Sequence, residues 1–359
     1  MLSEAREFKQ RVDAYLVGLA EGESAQLLQV SNELAPLCEQ LRGALTQGKR
    51  LRAAFLYWGW RAAGQPDCDG IIRAAAAMEL VHAAACVHDD IIDGSLVRHG
   101  MPTAHVAFAG AGLGRGSPAA WSEGEGQCRD QPAALAMMLG DLLMGYAGQV
   151  FATCGLPGAF VARTTPLWST LLRETVAGQF LEVLRTGGAV PKVAESLEVA
   201  RYKTAKYTVE RPLHLGVTLG GGSARLLDAF TDYGLPLGEA FQLRDDLLGT
   251  FGNPDVTGKS NLDDLRDGKP TALMALTVSL VSDDDRQILA KTVGRPDLDE
   301  ADAARVRDLM VDCGARAQVE DMIVERLALA QRALASTPMP RTAHNALRDL
   351  ATASVDRPL

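Results

Sequence analysis

The segment "IIRAAAAMELVHAAACVHDDIID", Ile71–Asp93, decides the class of fold. It contains neither proline nor glycine, and its apolar residues recur at the spacing of an α-helix. Helical periodicity also covers residues 197–217, 238–249 and 297–335, with interruptions expected near Pro212 and Gly314. No alternating run of polar and apolar residues is bracketed by hairpin turn residues. The sequence therefore predicts an all-α protein.

Composition indicates a globular chain with a large core. Of its 359 residues, 47% are hydrophobic and 23% are charged. Length alone suggests about two domains. We instead predict one domain over residues 1–359 with a glycine-rich loop insertion at about 110–132, because the motifs on the two sides of this loop look like parts of one site.

Charge and cysteine usage restrict the partners and the compartment. The net charge of −9 leaves no basic surface for nucleic acid. The six cysteines are scattered without a CxxC pair, no secretory signal is recognisable, and no run approaches 18 apolar residues. We therefore expect a cytoplasmic protein with no nucleic-acid partner and no transmembrane segment.

Acidic residues cluster on two predicted helices. Asp89 and Asp93 are four residues apart and share one helix face, with His82 two turns earlier on that face. Asp245 and Asp246 form the second cluster. Such patches either are solvated helix ends or build a metal site inside a bundle. Carboxylates without cysteine partners favour Mg²⁺, with Mn²⁺ as the alternative, and Mg²⁺ held by few carboxylates suggests a phosphate-bearing substrate.

Basic residues accompany both acidic clusters. Arg98 follows the first, and Lys203 and Lys206 lie in "RYKTAKYTVERP". Lys259 and Lys269 are each preceded by a glycine that lets the backbone approach an anion. Taken singly, each lysine is typical of a solvated surface, whereas together with the acidic motifs they indicate a phosphate site bridged by metal.

The motifs together resemble those of the trans-prenyl diphosphate synthases, the polyprenyl synthetase family, and are most similar to actinobacterial geranylgeranyl-type members. The resemblance is carried, in chain order, by "GKRLRAAFLYWGW", "ELVHAAACVHDDIIDGSLVRHGMPTAH", "LGDLL", "AGQFLEVL", "YKTAKYTVERPLHLG" and "FQLRDDLLGTFGNPDVTGKSNLDDLRDGKPT", between residues 48 and 271. It implies one large helical bundle around a deep central cavity, a homodimer, and magnesium-dependent head-to-tail condensation of isopentenyl diphosphate with an allylic diphosphate.

The resemblance also implies the role of each site residue. It assigns Asp89, Asp93 and Asp245 to magnesium, with Asp90 and Asp246 in support. The residues that it assigns to the allylic diphosphate are Arg98, Lys203, Thr204, Gln242, Lys259 and Lys269. Those that it assigns to isopentenyl diphosphate are Lys49, Arg52 and His82.

Four positions depart from the family pattern, one of them Ala53, which stands where proline is frequent. His99 stands where members have a second arginine, so it is expected to bind isopentenyl diphosphate more weakly and in a pH-dependent way. Gly249 stands where many members have a third aspartate, which leaves Asp245 to do most of the metal binding on that side. Glu182 replaces a usual aspartate and keeps the charge with a longer reach.

Product length depends on the side chains that the growing tail meets. Ala84 and Ala85, one turn before Asp89, are small and let the tail run deeper, toward Val81. We therefore expect a product of C20, geranylgeranyl diphosphate, or longer.

Two other functions fit parts of the pattern. A class I terpene cyclase shares the all-α fold and an acidic magnesium motif, but it needs no second diphosphate site and favours more than 5% aromatic residues. A non-catalytic partner subunit of a prenyl diphosphate synthase is expected to lose an acidic motif, and this chain keeps both.

Overall fold

The computed structural model describes residues 2–112, 131–189, 192–258 and 260–356. Within these ranges the chain is almost entirely helical, which confirms the all-α prediction. The strands found there are β1 (Val97–Arg98) and β2 (Met101–Pro102), which form one short antiparallel hairpin. Residues 113–130 of the predicted glycine-rich insertion lie outside the described residues, as does Lys259.

The chain divides into two compact units. Of the described residues, those within Ser3–Ala53 and Asp69–Gly155 form the amino-terminal unit, and those within Ala54–Cys68 and Leu156–Leu359, together with Leu2, form the carboxy-terminal unit. Helix α3, defined below, crosses the boundary at Ala53. The prediction of one domain over the whole chain stays a prediction.

The amino-terminal unit is built around one long buried helix. Its helices are α1 (Leu2–Val30), a 3₁₀ turn (Asn32–Leu34), α2 (Ala35–Thr46), the first turn of α3 (Leu51–Ala62), α4 (Asp69–Ile92), α5 (Ala104–Gly110) and α6 (Gln131–Ala152). Helix α4 packs chiefly on α6. A Cβ at Gly140 of α6 would lie 2.2 Å from Nε2 of His88, so a larger residue at this position would require the His88 ring to move.

The carboxy-terminal unit contains the remaining helices. They are α7 (Gly158–Arg185), α8 (Val193–Val199), a π-helix (Ala200–Glu210), α9 (Arg211–Gly220), α10 (Ala224–Phe251), α11 (Pro254–Thr257), α12 (Asp263–Asp267), α13 (Ala272–Leu280), α14 (Asp283–Thr292), α15 (Glu300–Asp312), α16 (Ala315–Ala335) and α17 (Arg341–Val355). The π-helix packs between α7 and α10, and α10 also packs on α16.

Two of the predicted helix boundaries differ from the structure. The helix expected over residues 238–249 is α10, which is 28 residues long and accommodates Pro236. The interruption expected near Pro212 is instead a change to π-helix over Ala200–Glu210. Pro212 lies in the first turn of α9, which continues directly from the π-helix because Glu210 and Arg211 both keep helical dihedral angles. The predicted break at Gly314 is confirmed, with φ of 82° between α15 and α16.

Two described helices, α4 and α6, are long and apolar enough to cross a membrane by length and composition alone. The most apolar 18-residue window is 78% buried in α4 and 44% buried in α6. The apolar composition of α4 is therefore explained by its place in the core. For α6 the same criterion is weak evidence of membrane insertion.

Candidate active site

The first acidic cluster lies at the carboxy-terminal end of α4, in the amino-terminal unit. Asp89 lies on an accessible helix face with His82 and Ala85, whereas Asp90 is only 4% exposed. Arg98 donates from Nε to both carboxylate oxygens of Asp90, at 2.8 and 2.9 Å, and its Nη2 lies 2.6 Å from Asp90 Oδ1. The same Nη2 lies 3.8 Å from Asp89 Oδ2. The structure thus brings Arg98 together with this cluster and makes Asp90 the residue that holds it.

His99 has a backbone role in the hairpin that carries Arg98. Val97 pairs with Pro102 and Arg98 with Met101, so His99 and Gly100 are the two turn residues. Their φ angles of 53° and 76° are both positive, as a type I′ hairpin turn requires. Histidine tolerates this left-handed region better than most residues. The turn places His99 on the exposed tip of the hairpin, directly after the arginine that binds Asp90.

The segment "GKRLR" contains one structural arginine. Arg50 is 4% exposed, donates from Nε to Asp13 Oδ1 at 2.7 Å, and has Nη1 3.7 Å from Glu79 Oε2. Glu79 Oε1 also accepts the backbone N–H of Ala53, in the first turn of α3. These bonds fix the start of α3. Of the predicted residues, Lys49 precedes this helix and is exposed, and Arg52 lies in its first turn.

His82, the third residue assigned to isopentenyl diphosphate, lies on the accessible face of α4. Its Nδ1 is 3.5 Å from the Sγ of Cys86, one turn further along the helix. The stretch from His82 to Asp89 therefore presents an imidazole, a thiol and a carboxylate on one face.

A pocket in the carboxy-terminal unit gathers five of the predicted residues. The residues that line it are Glu182, Ser196, Val199, Ala200, Lys203, Thr204, Gln242, Asp246, Lys269, Pro270 and Thr271. Lys203, Gln242 and Lys269 come from separate parts of the chain, so the pocket brings together four residues assigned to the allylic diphosphate and Asp246, which is assigned to the support of magnesium.

The π-helix sets the direction of Lys203 and Thr204. Glycines on both neighbouring helices let backbone approach backbone: a Cβ at Gly178 of α7 would lie 2.2 Å from the Lys203 nitrogen, and a Cβ at Gly238 of α10 would lie 2.3 Å from the Ala205 Cα. The π-helix is therefore in close backbone contact with α7 at Lys203 and with α10 at Ala205. Extended π-helix is rare and is often found at functional sites.

A chain of polar side chains links the π-helix to the second acidic cluster. Thr204 donates from its hydroxyl to Gln242 Oε1 at 2.5 Å, and Gln242 Nε2 donates to Asp246 Oδ1 at 2.8 Å. Lys203 forms a short ion pair with Glu182 of α7. These contacts hold the side chains of Lys203 and Thr204 at the pocket wall.

Asp246 is a carboxyl group with an excess of negative charge around it. Its pKa is raised to about 8, chiefly by burial and also by the neighbouring carboxylates of Asp264, Asp245 and Glu182, against the opposing effect of the Gln242 hydrogen bond. A bound cation would relieve this repulsion. The arrangement therefore fits a site that is completed by a divalent ion.

An ion-pair network below the pocket anchors the end of the π-helix. Arg211 donates to both oxygens of Glu174, at 2.6 and 2.9 Å, and Lys206 donates to Glu174 Oε1 at 3.1 Å. Lys206 also lies 3.3 Å from Glu210 Oε2. Sequence reasoning missed Glu174, although its spacing of two helical turns from Glu182 on α7 was the available signal.

Lys269 lies at the edge of the pocket. Its Nζ is 3.5 Å from Asp264 Oδ1, and its backbone N–H donates to the Asp264 carbonyl at 3.0 Å. Gly268 makes this turn possible, because its φ of 64° ends α12 in the left-handed conformation. Asp264 is a further residue that the sequence analysis did not assign.

The three residues assigned to product length differ in exposure. Val81 and Ala84 are buried, at 1% and 0% exposure, whereas Ala85 is partly accessible and lies one turn before Asp89 on its face. The bulk of Ala85 can thus be changed with less disturbance of the core than that of the other two.

No group of three or more histidine, cysteine, aspartate or glutamate side chains in the described part of the chain is arranged to hold a metal ion by itself. Mg²⁺ is usually bound by one or two carboxylates together with waters and substrate phosphates. Oxygen ligands predominate at both clusters, so the residues fit a hard divalent ion.

Comparison with known proteins places the chain among prenyl diphosphate synthases. It is 28% identical over 313 residues to the geranylgeranyl diphosphate synthase of Saccharolobus solfataricus, covering 86% of each chain. It is 29% identical over 318 residues to the (2E,6E)-farnesyl diphosphate synthase of Mycobacterium tuberculosis, covering 86% of this chain and 80% of the relative.

A solved structure supports the same conclusion. Geranylgeranyl pyrophosphate synthase from Corynebacterium glutamicum, complexed with isoprenyl diphosphate and magnesium, superposes with a TM-score of 0.90 at 32% identity, covering 98% of this chain and 99% of that one. The Polyprenyl synthetase family itself matches residues 35–310. Since this match spans the greater part of the chain, the protein belongs to the polyprenyl synthetase family.

Proposed function

We propose that this prenyltransferase condenses isopentenyl diphosphate head to tail with an allylic diphosphate and releases a trans-prenyl diphosphate of C20 or longer. The observation that carries the proposal is the convergence of Lys203, Thr204, Gln242, Asp246 and Lys269 on one pocket. Cationic and hydroxyl donors beside a buried carboxyl are the groups that a metal-bound diphosphate requires.

The allylic diphosphate is bound by the pocket lysines and by Arg98. Lys203 and Lys269 act as point charges that exchange Glu182 and Asp264, respectively, for phosphate oxygens. Arg98 is held by Asp90 so that its guanidinium also reaches toward Asp89. Lys259 belongs to this proposed set by its motif.

Magnesium is the proposed metal, with Asp89, Asp93 and Asp245 as ligands and Asp90 and Asp246 in support. When bound, the metal would neutralise charge that builds up on the leaving diphosphate. Lys203 and Lys269 hold that diphosphate in place after the carbon–oxygen bond breaks, so that its oxygens can accept the proton lost from the second substrate. Thr204 and Gln242 orient the group through their hydrogen-bonded chain to Asp246.

Isopentenyl diphosphate is proposed to bind to Lys49, Arg52, His82 and His99. Lys49 and Arg52 lie at the amino-terminal end of α3, where the helix dipole favours an anion. Ala85, with Ala84 and Val81 deeper in α4, is proposed to leave room for a tail of C20 or longer.

A homodimer is part of the proposal. Four large apolar side chains form one stripe along α7: Val176, Phe180, Val183 and Leu184 are 47 to 67% exposed. An exposed apolar stripe at helical spacing supports burial against a second copy. Light scattering behind size exclusion tests this, and Phe180→Glu together with Leu184→Glu is expected to convert the dimer to a monomer.

A cytoplasmic location is also proposed. No two of the five cysteines in the described residues, Cys38, Cys68, Cys86, Cys154 and Cys313, are joined by a disulfide, which is typical of a reducing compartment. Fractionation of cells that express the full chain tests it, and recovery of the protein with the membranes would contradict it.

The decisive experiment is a product assay with the purified chain. It is incubated with Mg²⁺, isopentenyl diphosphate and, separately, dimethylallyl, geranyl or farnesyl diphosphate, and the products are identified by mass. We expect linear prenyl diphosphates of C20 or longer with at least one primer, and none from the Asp89→Asn/Asp93→Asn variant. A cyclic hydrocarbon made without isopentenyl diphosphate would indicate a class I terpene cyclase, and activity that requires a second protein would indicate a partner subunit.

A further inference from the structure

One buried hydroxyl group at the pocket makes no hydrogen bond within the described part of the chain. It belongs to Ser196, which lies in the middle of α8 and lines the pocket together with Lys203 and Lys269. Ser196 is only 4% exposed, and its Oγ has no hydrogen-bond partner among the described residues. A buried hydroxyl without a partner costs free energy and is rare in folded proteins. The packing of α8 alone therefore does not explain a serine at this position.

The other polar side chains that line the pocket are engaged within the protein. The pairs are Lys203 with Glu182, Thr204 with Gln242, Gln242 with Asp246, Lys269 with Asp264, and Thr271 with the backbone N–H of Met274. Among the described residues at the pocket, Ser196 is thus the one whose side-chain oxygen is left over. An acceptor that enters the pocket from solution would complete its hydrogen bonding.

The course of α7 brings the ammonium group of Lys203 toward Ser196. A Cβ at Gly178 of α7 would lie 2.2 Å from the Lys203 nitrogen, and seven residues later Arg185 donates from Nη1 to the carbonyl just before Ser196, at 2.7 Å. Helix α7 therefore runs antiparallel to α8 and the π-helix. Glu182 lies between these two contacts, so its ion pair places the ammonium group on the Ser196 side of the Lys203 backbone.

Lys269 reaches the same end of the pocket from another part of the chain. The carbonyl of Gly268, directly before it, accepts the N–H of Gly187, just beyond the end of α7, at 3.4 Å. Two ammonium groups and the unpaired hydroxyl of Ser196 are thus gathered at the carboxy-terminal end of α7. Phosphate oxygens accept hydrogen bonds from ammonium and hydroxyl groups alike, and a charged acceptor makes such bonds stronger.

We propose that Ser196 is a further binding residue for the allylic diphosphate, and that its hydroxyl donates a hydrogen bond to a phosphate oxygen held by Lys203 and Lys269. This inference rests on the proposed function and adds a residue to the same site. The free protein carries the cost of an unpaired hydroxyl, and the bound diphosphate removes that cost. Stability of the free protein and affinity for diphosphate should therefore respond in different ways when the hydroxyl is deleted.

The test is Ser196→Ala in the full-length chain. Isothermal titration calorimetry with inorganic diphosphate and excess Mg²⁺ is expected to show at least fivefold weaker binding, because a hydrogen bond to a charged group is lost. Thermal unfolding without ligand is expected to show a melting temperature equal to or above that of the parent, because no hydrogen bond within the protein is lost.

Ser24→Ala is the matched control. Ser24 is also a helical serine, lies in α1 of the amino-terminal unit, is 2% exposed, and has an Oγ without a hydrogen-bond partner among the described residues. It does not line the pocket. Its replacement by alanine is therefore expected to leave the melting temperature equal or higher, as for Ser196→Ala, but to leave diphosphate binding unchanged.

Steady-state kinetics assign the effect to one of the two substrates. Ser196→Ala is expected to raise KM for the allylic primer at least fivefold and to leave KM for isopentenyl diphosphate within about twofold of the parent. The reverse pattern would place the hydroxyl at the second substrate and overturn the inference.

Two further results would also overturn it. One is a Ser196→Ala variant that binds inorganic diphosphate as tightly as Ser24→Ala, which would mean that the pocket hydroxyl meets only water. The other is a Ser196→Ala variant that melts below the parent or does not fold, which would show that the hydroxyl serves the fold. Failure of the proposed function is distinguishable, because the parent would then form no prenyl product in the mass assay, whereas the calorimetric comparison requires no product.

Discussion

Gly178→Ala tests how the π-helix is held against α7. The added Cβ would lie 2.2 Å from the backbone nitrogen of Lys203 and 2.6 Å from the carbonyl carbon of Tyr202. Backbone atoms cannot rotate away as the end of a flexible side chain can. The two helices must therefore move apart by about 1.2 Å before ordinary contact is restored at 3.4 Å.

The expected destabilisation can be worked from two opposing effects. Overpacking of a close backbone contact costs about 3 kcal/mol, the upper end of the usual range. Alanine favours helix over glycine by about 1 kcal/mol. The net loss is about 2 kcal/mol, which corresponds to a melting temperature lower by about 5 °C for a unit of this size.

The same displacement moves the diphosphate-binding groups. Lys203 follows Tyr202 directly, and its partner Glu182 is one turn along α7 from Gly178. A misplacement of about 1 Å can cost about 100-fold in rate, so kcat/KM for the allylic primer is expected to fall by that order.

Thermal unfolding and steady-state kinetics are measured side by side with a matched control. Gly148 lies in the interior of α6, and a Cβ added there would meet nothing within 4 Å. Gly148→Ala is therefore expected to stabilise by about 0.5 to 1 kcal/mol and to leave kcat/KM unchanged. The reasoning is refuted if Gly178→Ala melts at or above the temperature of the parent and keeps its kcat/KM.

Three further predictions concern product length, the second substrate and pH. Ala85→Phe, on the accessible face of α4 one turn before Asp89, should shorten the product by at least one C5 unit, and an unchanged product mass would remove Ala85 from the pocket floor. His99→Arg should lower KM for isopentenyl diphosphate about tenfold at pH 8.5, where imidazole is neutral. If the substitution leaves this KM unchanged between pH 6 and 8.5, His99 does not bind this substrate. Asp246 has its folded-state pKa raised to about 8, so without metal the folded state keeps a proton that the unfolded state loses, and stability falls as pH rises from about 4 to 8. Asp246→Asn should therefore gain stability relative to the parent across that range, by no more than about 1.4 kcal/mol per pH unit in urea unfolding, and equal pH slopes for the two proteins would contradict the raised pKa.

The helical class and the acidic motifs could be predicted from the sequence, because both depend on spacing within one helix. The run from Ile71 to Asp93 has one period throughout, and α4 covers Asp69–Ile92. The separation of Asp89 from His82 likewise fixes which helix face they share. Gly314 predicted a helix end because glycine readily adopts the left-handed conformation at which helices end, and its φ is 82°.

Other properties depended on residues that are far apart in the chain. The π-helix over Ala200–Glu210 could not be predicted from local periodicity, because glycines of α7 and α10 determine how closely its backbone is packed. Arg50, next to the predicted Lys49, proved to be buried against Asp13 and Glu79, a distinction that the basic run "GKRLR" does not contain.

Gly249 shows most clearly which properties the sequence determines and which the tertiary structure decides. The sequence determined that a carboxylate is missing from the second acidic cluster, because that is a matter of which residue stands four positions after Asp245. Only the tertiary structure placed Asp264 in the same volume. The physical reason is that side-chain periodicity is a local property of the backbone, whereas the filling of space between helices depends on every chain segment that packs there.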